Sequence, residues 1–146
     1  MNVALILPHL SSSQVRDEIF FTVGSNIAKT NNSFSLFFEN ASPCYSSAPM
    51  SMMNISEFRY FSGRAITFSL KGVHYPLSSF NKIEPVLYAY DLDWLDGETD
   101  FIKNVEIYRN PSLALYTRSE SYADMIEKYS GRRPLVKTLE EVLLSE

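Results

Sequence analysis

The stretch Val86-Leu87-Tyr88-Ala89-Tyr90-Asp91-Leu92-Asp93-Trp94 limits the fold more than any other part of the chain. Five uncharged residues of high β propensity break there into two carboxylates and the only tryptophan. A strand without charge on either face has both faces covered, as in parallel sheets lying under helices. Its carboxyl end is where polar groups first meet water. In open α/β sheets ligands gather outside the carboxyl ends of the strands, so Asp91 and Asp93 are the first candidate site residues.

Similar segments recur along the chain. Val3-Ala4-Leu5-Ile6-Leu7 is a second buried strand, stopped by Pro8, which has no amide hydrogen for a ladder. His9-Leu10-Ser11-Ser12-Ser13 makes a polar turn. From Gln14 a helix is predicted, with Val15, Ile19, Val23 and Ile27 along one side and Phe20 widening the stripe. Ser11 with Gln14, or Ser13 alone, caps its start, and Gly24-Ser25 bends or ends it near Lys29. Residues 33–38 read as a strand running into the loop Glu39-Asn40-Ala41-Ser42-Pro43-Cys44, and residues 45–53 carry no regular pattern. Asn54 followed by Glu57 is a capping box for a short helix with Ile55, Phe58 and Phe61, closed by Gly63.

The second half continues in the same way. Residues 64–70 alternate as a strand, Lys71-Gly72 turns the chain, and Tyr75-Pro76-Leu77-Ser78-Ser79-Phe80 holds only a short helix or turn. After Trp94, residues 96–100 form a polar turn. Residues 101–108 fit a short helix or an edge strand equally well. Residues 113–117 are an apolar strand, and Ser119 caps the clearest helix. Tyr122, Met125, Ile126 and Tyr129 occupy i, i+3, i+4 and i+7 of that helix, and Gly131 stands at its exit. Pro134-Leu135-Val136 is a last short strand, and Thr138 with Glu141 opens a final helix carrying Leu139, Val142 and Leu143.

Strand and helix alternate throughout, which predicts a single Rossmann-like doubly wound α/β domain over residues 1–146. Its mostly parallel sheet should have about 5–6 strands, with helices on both faces and right-handed crossovers. The 45% hydrophobic content supplies a full core for such a domain, and the bland role of most of the ten Phe and nine Tyr is to fill it. A net charge of -4, with basic residues scattered singly except for Arg132-Arg133, argues against nucleic acid or an anionic membrane as the main partner. One cysteine, Cys44, excludes an internal disulfide and a structural zinc site. No stretch approaches the roughly 20 apolar residues that span a bilayer. The N-terminus has no basic leader, and a cytoplasmic location is expected.

If the strands are parallel, the turns after them share one rim. That rim would gather His9, Ser11, Ser12, Ser13, Glu39, Asn40, Asp91, Asp93, Arg118 and Ser119 as a binding surface for a small polar ligand or a partner. The serine turn can receive an anion through amides and hydroxyls, or simply cap its helix. No glycine-rich phosphate fingerprint is present, and no cofactor is expected. Asp91 and Asp93, alternating as they leave a strand, would reach one divalent cation, or Asp93 would cap a turn. A nucleophilic hydrolase would have to pair His9 with a rim serine. A further alternative is a non-enzymatic homodimer joined through an aromatic edge at residues 101–108.

Two family likenesses attach to these residues. A hydrophobic strand followed by Asp91-Leu92-Asp93 resembles the first motif of haloacid dehalogenase phosphatases and the Asp-x-Asp motif of one glycosyltransferase class, which implies a metal-dependent phosphatase or transferase. In element order the chain resembles the N-terminal, acceptor-side half of GT-B-fold glycosyltransferases. That likeness rests on Leu5-Ile6-Leu7-Pro8-His9, Asp91-Leu92-Asp93-Trp94, and Leu113-Ala114-Leu115-Tyr116-Thr117-Arg118-Ser119 before an amphipathic helix. It implies a sugar or nucleotide-sugar related ligand. In such enzymes the donor sits largely in a second Rossmann-like domain, which would begin where this sequence stops. Either a partner chain supplies that domain or the half has become a binding module, and the half alone is not expected to transfer sugar.

Overall fold

The computed structural model describes residues 1–42, 47–96 and 100–145. In chain order the elements are β1 (Asn2–Ile6), β2 (His9–Leu10), α1 (Gln14–Asn26), β3 (Ser33–Phe38), β4 (Asn40–Ala41), β5 (Ser51–Asn54), β6 (Gly63–Thr67) and α2 (His74–Leu77). They continue as β7 (Ile83–Ala89), α3 (Phe101–Arg109), β8 (Ala114–Thr117), α4 (Glu120–Ser130), β9 (Leu135–Val136) and α5 (Leu139–Leu144). Short 3-10 turns occupy Ile27–Lys29, Ile55–Tyr60, Leu70–Gly72 and Asp93–Asp96.

Seven strands pair in the order β5-β3-β1-β6-β7-β8-β9, and every pairing is parallel. The chain winds outward from β1 through β3 to β5, returns to the other side of β1 as β6, and winds outward again to β9. That reversal is the switch point of a doubly wound Rossmann-like sheet, and it lies between β1 and β6. The sheet therefore has seven strands where about five to six were expected. The uncharged run 86–90 forms β7 and its exit, an interior strand, but the winding pivots on β1 and β6.

Both sheet faces are covered, as the charge-free strands required. On one face Ile19 and Val23 of α1 and Leu139, Val142 and Leu143 of α5 pack with Val3, Leu5, Leu36, Ile66, Val86 and Tyr88. On the other, Phe58 sits with Ala4, Ile6, Phe37 and Ala65, while Tyr108 of α3 and Ile126 of α4 meet Leu87, Ala89 and Leu115. Val3, Ala4, Leu5 and Ile6 are all 0% exposed, so β1 has no face turned to water. Removing one such leucine side chain costs about 2–5 kcal/mol.

Local chemistry sets the helix ends. Ser13 Oγ accepts from Arg16 N at the start of α1, Ser119 Oγ accepts from Tyr122 N at the start of α4, and Thr138 with Glu141 completes a reciprocal capping box on α5. The Thr138 bonds hold the Glu141 carboxyl below its ordinary value, the backbone amide contributing most. Gly131 ends α4 at φ 78, a left-handed position that suits glycine. Gly63 opens β6 at φ 136, and a Cβ there would lie 2.4 Å from the Asn2 carbonyl oxygen.

Some expectations shift. α1 passes Gly24-Ser25 unbroken and ends at Asn26, so Ile27 falls in the 3-10 turn and is 46% exposed instead of closing the stripe. Met125 likewise points outward, because α4 buries Ala123, Ile126 and Ser130. Residues 101–108 belong to helix α3, capped by Asp100 through Lys103 N, and Tyr108 is buried. No strand edge exists there for a second copy to pair with. Residues 51–54, without pattern in the sequence, pair with β3 as an edge strand. Pro43 and Cys44, and the turn at residues 97–99, lie outside the described residues. Among the described residues no helix is long and apolar enough to cross a membrane.

Candidate functional site

Because every strand points the same way, the turns after β1, β3, β7 and β8 open on one rim. His9 and Asp91 share that rim, but the predicted residues divide into separate sets of contacts. The first set lies beyond β1 and β3. Pro8 O accepts from the amides of Glu39 and Asn40, and the two-residue strands β2 and β4 then pair His9 with Asn40. His9 Nε2 lies 3.2 Å from Ser42 Oγ. The Tyr75 hydroxyl, from α2, donates to Glu39 Oε1 at 2.6 Å. Burial and then that hydrogen bond push the Tyr75 phenol up to about 12, so it remains a donor at neutral pH.

The second set stands over β7 and β8. Arg118 leaves the end of β8, and its Nη2 donates to Asp91 Oδ1 at 3.2 Å and to the Tyr122 hydroxyl at 3.1 Å. Its guanidinium carbon lies 4.5 Å from the Tyr90 ring centroid and 5.1 Å from that of Tyr122, close enough for cation–π attraction on both. Tyr90 in turn donates its hydroxyl to Glu18 Oε2 at 2.6 Å, tying α1 to the end of β7. Burial and the Glu18 bond raise the Tyr90 phenol well above its usual range. One exposed cation is thus held between two rings and an exposed carboxylate, with Nε and Nη1 making no hydrogen bond among the described residues.

The serine turn forms a third set. Ser13 caps α1, Ser12 Oγ accepts from Arg16 Nη1 at 3.4 Å, and Ser11 is half-buried in the turn. Ser119 serves α4 in the same way as Ser13 serves α1. Ser12, Ser13 and Ser119 are engaged with their own helices. Ser13 and Ser119 fill the capping role that the sequence offered for them.

Asp91 and Asp93 part company. The chain curls into a 3-10 turn from Asp93, which swings that carboxylate inward to accept from Leu70 N at 2.6 Å, while Asp91 faces Arg118. Asp93 therefore caps a turn, and the expected shared cation finds its two carboxylates on different partners. Among the described residues no group of three His, Cys, Asp or Glu side chains lies close enough to hold a metal ion. His9 with Ser42 is the imidazole–hydroxyl pair that a hydrolase would need. However, Glu39 is engaged with Tyr75, and among the described residues no third group orients the His9 ring.

Tyr90, Tyr122, Glu18, Tyr75 and Ser42 were not among the predicted residues. Tyr122 stands four residues after Arg118 at a helix entry, a spacing that brings the two together. The others reach the rim from elements that only the fold makes neighbours. Strand order and rim together define the class of protein: an open, doubly wound, Rossmann-like α/β domain with a polar carboxyl-end rim. No family model, curated protein or solved structure matches the chain.

Proposed function

We propose that this chain is a Rossmann-like binding domain, related in shape to the acceptor-side half of a GT-B glycosyltransferase. Its rim takes a small polar ligand of the sugar or nucleotide-sugar kind. The supporting observation is the Arg118 arrangement: a guanidinium with donors to spare, oriented by Tyr90, Tyr122 and Asp91 at the carboxyl ends of two adjacent strands. Arginine donors and the Asp91 carboxylate suit ligand hydroxyls or an anionic oxygen. The rim offers binding groups without a complete nucleophile–base constellation. Group transfer would therefore need a second domain supplied from outside the described residues, such as a partner chain.

The test is a calorimetric screen against monosaccharides, nucleotides and nucleotide sugars, repeated with Arg118→Ala and Asp91→Asn. Binding in the wild type that weakens by about tenfold or more in Arg118→Ala supports the proposal. A ligand that binds both equally, or that maps by NMR to the cleft of about 380 Å³ beside Arg64, Lys82 and Glu84 at the amino ends of the strands, overturns it.

A further inference from the structure

A second surface feature, separate from the Arg118 rim, lies between α2 and α3. Beyond β6 the chain makes its Leu70–Gly72 turn and enters α2, leaving a cleft of about 320 Å³ against α3. Its floor is apolar: Leu70 and Val73 are buried, and Leu77 and Ile107 are partly so. Its mouth is basic, carrying Lys71, His74 and Lys103, all exposed. Among the described residues no acidic side chain lines it.

The charges at this mouth are unspent. Arg16, Arg64, Arg118 and Arg133 each face a carboxylate, whereas neither Lys71 nor Lys103 is in any ion pair among the described residues. His74 Nδ1 donates to Lys71 O at 2.8 Å, which fixes the ring and leaves Nε2 as its remaining polar atom. The chain as a whole is acidic, with a net charge of -4. Two lysines over an apolar floor make this opening locally positive, and it attracts what carries the opposite charge.

We propose that this cleft binds an organic carboxylate with an apolar body, such as a short-chain fatty or aryl acid. The acid group would lie between Lys71 and Lys103, and the body against Leu70, Val73, Leu77 and Ile107. Small-molecule sites run from roughly 300 to 1,000 Å³, and this cleft lies at the small end, fitting one short chain or a single ring. A bare inorganic anion would leave the apolar floor uncovered. An uncharged hydrocarbon would gain nothing from the lysines.

The probe is octanoate, followed by amide NMR on the whole chain, with octanol supplying the body without the charge and inorganic phosphate the charge without the body. Octanoate is expected to move the amide signals of residues 70–77 and 103–107 saturably, octanol to bind roughly tenfold more weakly, and phosphate to shift nothing there. The double variant Lys71→Glu, Lys103→Glu should lose octanoate binding by roughly tenfold or more, while Arg118→Ala binds it as wild type does. Both lysines are exposed and free of ion pairs among the described residues, so the variant should fold. If charge reversal disturbs the spectrum, Lys71→Gln with Lys103→Gln carries the same test. Octanol binding as well as octanoate, shifts centred elsewhere, absence of a saturable shift, or equal binding by wild type and the lysine variants would each overturn the proposal.

Discussion

Arg64 and Arg118 sit at opposite ends of the sheet, and each faces a carboxylate at just over 3 Å, yet they do different work. Arg64, near the amino end of β6, is 11% exposed. Its Nη1 donates to Ser145 O and Oγ at 2.6 Å each, its Nη2 donates to Glu84, and its buried Nε has no hydrogen-bond partner among the described residues. It fastens the end of α5 to the sheet. Arg118, at the carboxyl end of β8, is 33% exposed and has donors left over, and it is held by two aromatic faces beside its two hydrogen bonds. An arginine consumed by the fold stabilises it, whereas one oriented but unspent is available to a ligand. An ion-pair distance alone does not separate the two roles.

The largest effect should come beside Arg64. Gly63→Ala forces a Cβ onto the Asn2 carbonyl at φ 136, and urea denaturation should show a loss of about 3 kcal/mol or more. Near-neutral behaviour would mean that the amino end is less fixed than the comparison holds. Arg64→Met removes the bonds to Ser145 and Glu84 while keeping the apolar stem, and should cost about 1–3 kcal/mol by the same measurement.

A titration separates rim from core. Burial first, and then charges that include Glu18, push the Tyr88 phenol up to about 12, as burial and Glu39 do for Tyr75. A phenol whose folded value is raised adds stability that is fully present below the ordinary tyrosine value near 10 and is lost as pH rises through about 12. Phenolate absorbance should therefore show late-titrating tyrosines. Glu39→Gln should advance Tyr75 and leave Tyr88 unmoved, and equal movement of both would show that the two are not independent. The smallest stability change belongs to Arg118→Ala, within about 0.5 kcal/mol. A loss as large as that of Arg64→Met would make Arg118 a structural residue and erase the contrast.

Much of this was legible in the sequence for local reasons. Ser119, Tyr122, Ile126 and Gly131 specify α4 with a cap, a stripe and a left-handed exit, all within one short segment. Residues 86–90 announce a strand covered on both faces, and so a parallel sheet, which places Asp91 and Arg118 at a common end. Residues 51–54, Ser-Met-Met-Asn, carried no signal because an edge strand of four residues takes its conformation from β3 beside it. Residues 101–108 stayed ambiguous because their apolar residues fit either period, and Asp100 resolves them as a helix.

What the chain's own order of residues determined was most of the alternation of strands and helices and the caps that begin and end them. Those follow from side-chain period, cap chemistry and backbone conformation within a few neighbours. Only the tertiary structure decided that the winding reverses between β1 and β6, that Asp93 turns inward to Leu70 while Asp91 turns outward, and that Tyr90 and Glu18 join Arg118. Each of these depends on which distant segments pack together, and packing is chosen by the burial of the whole core rather than by any local pattern.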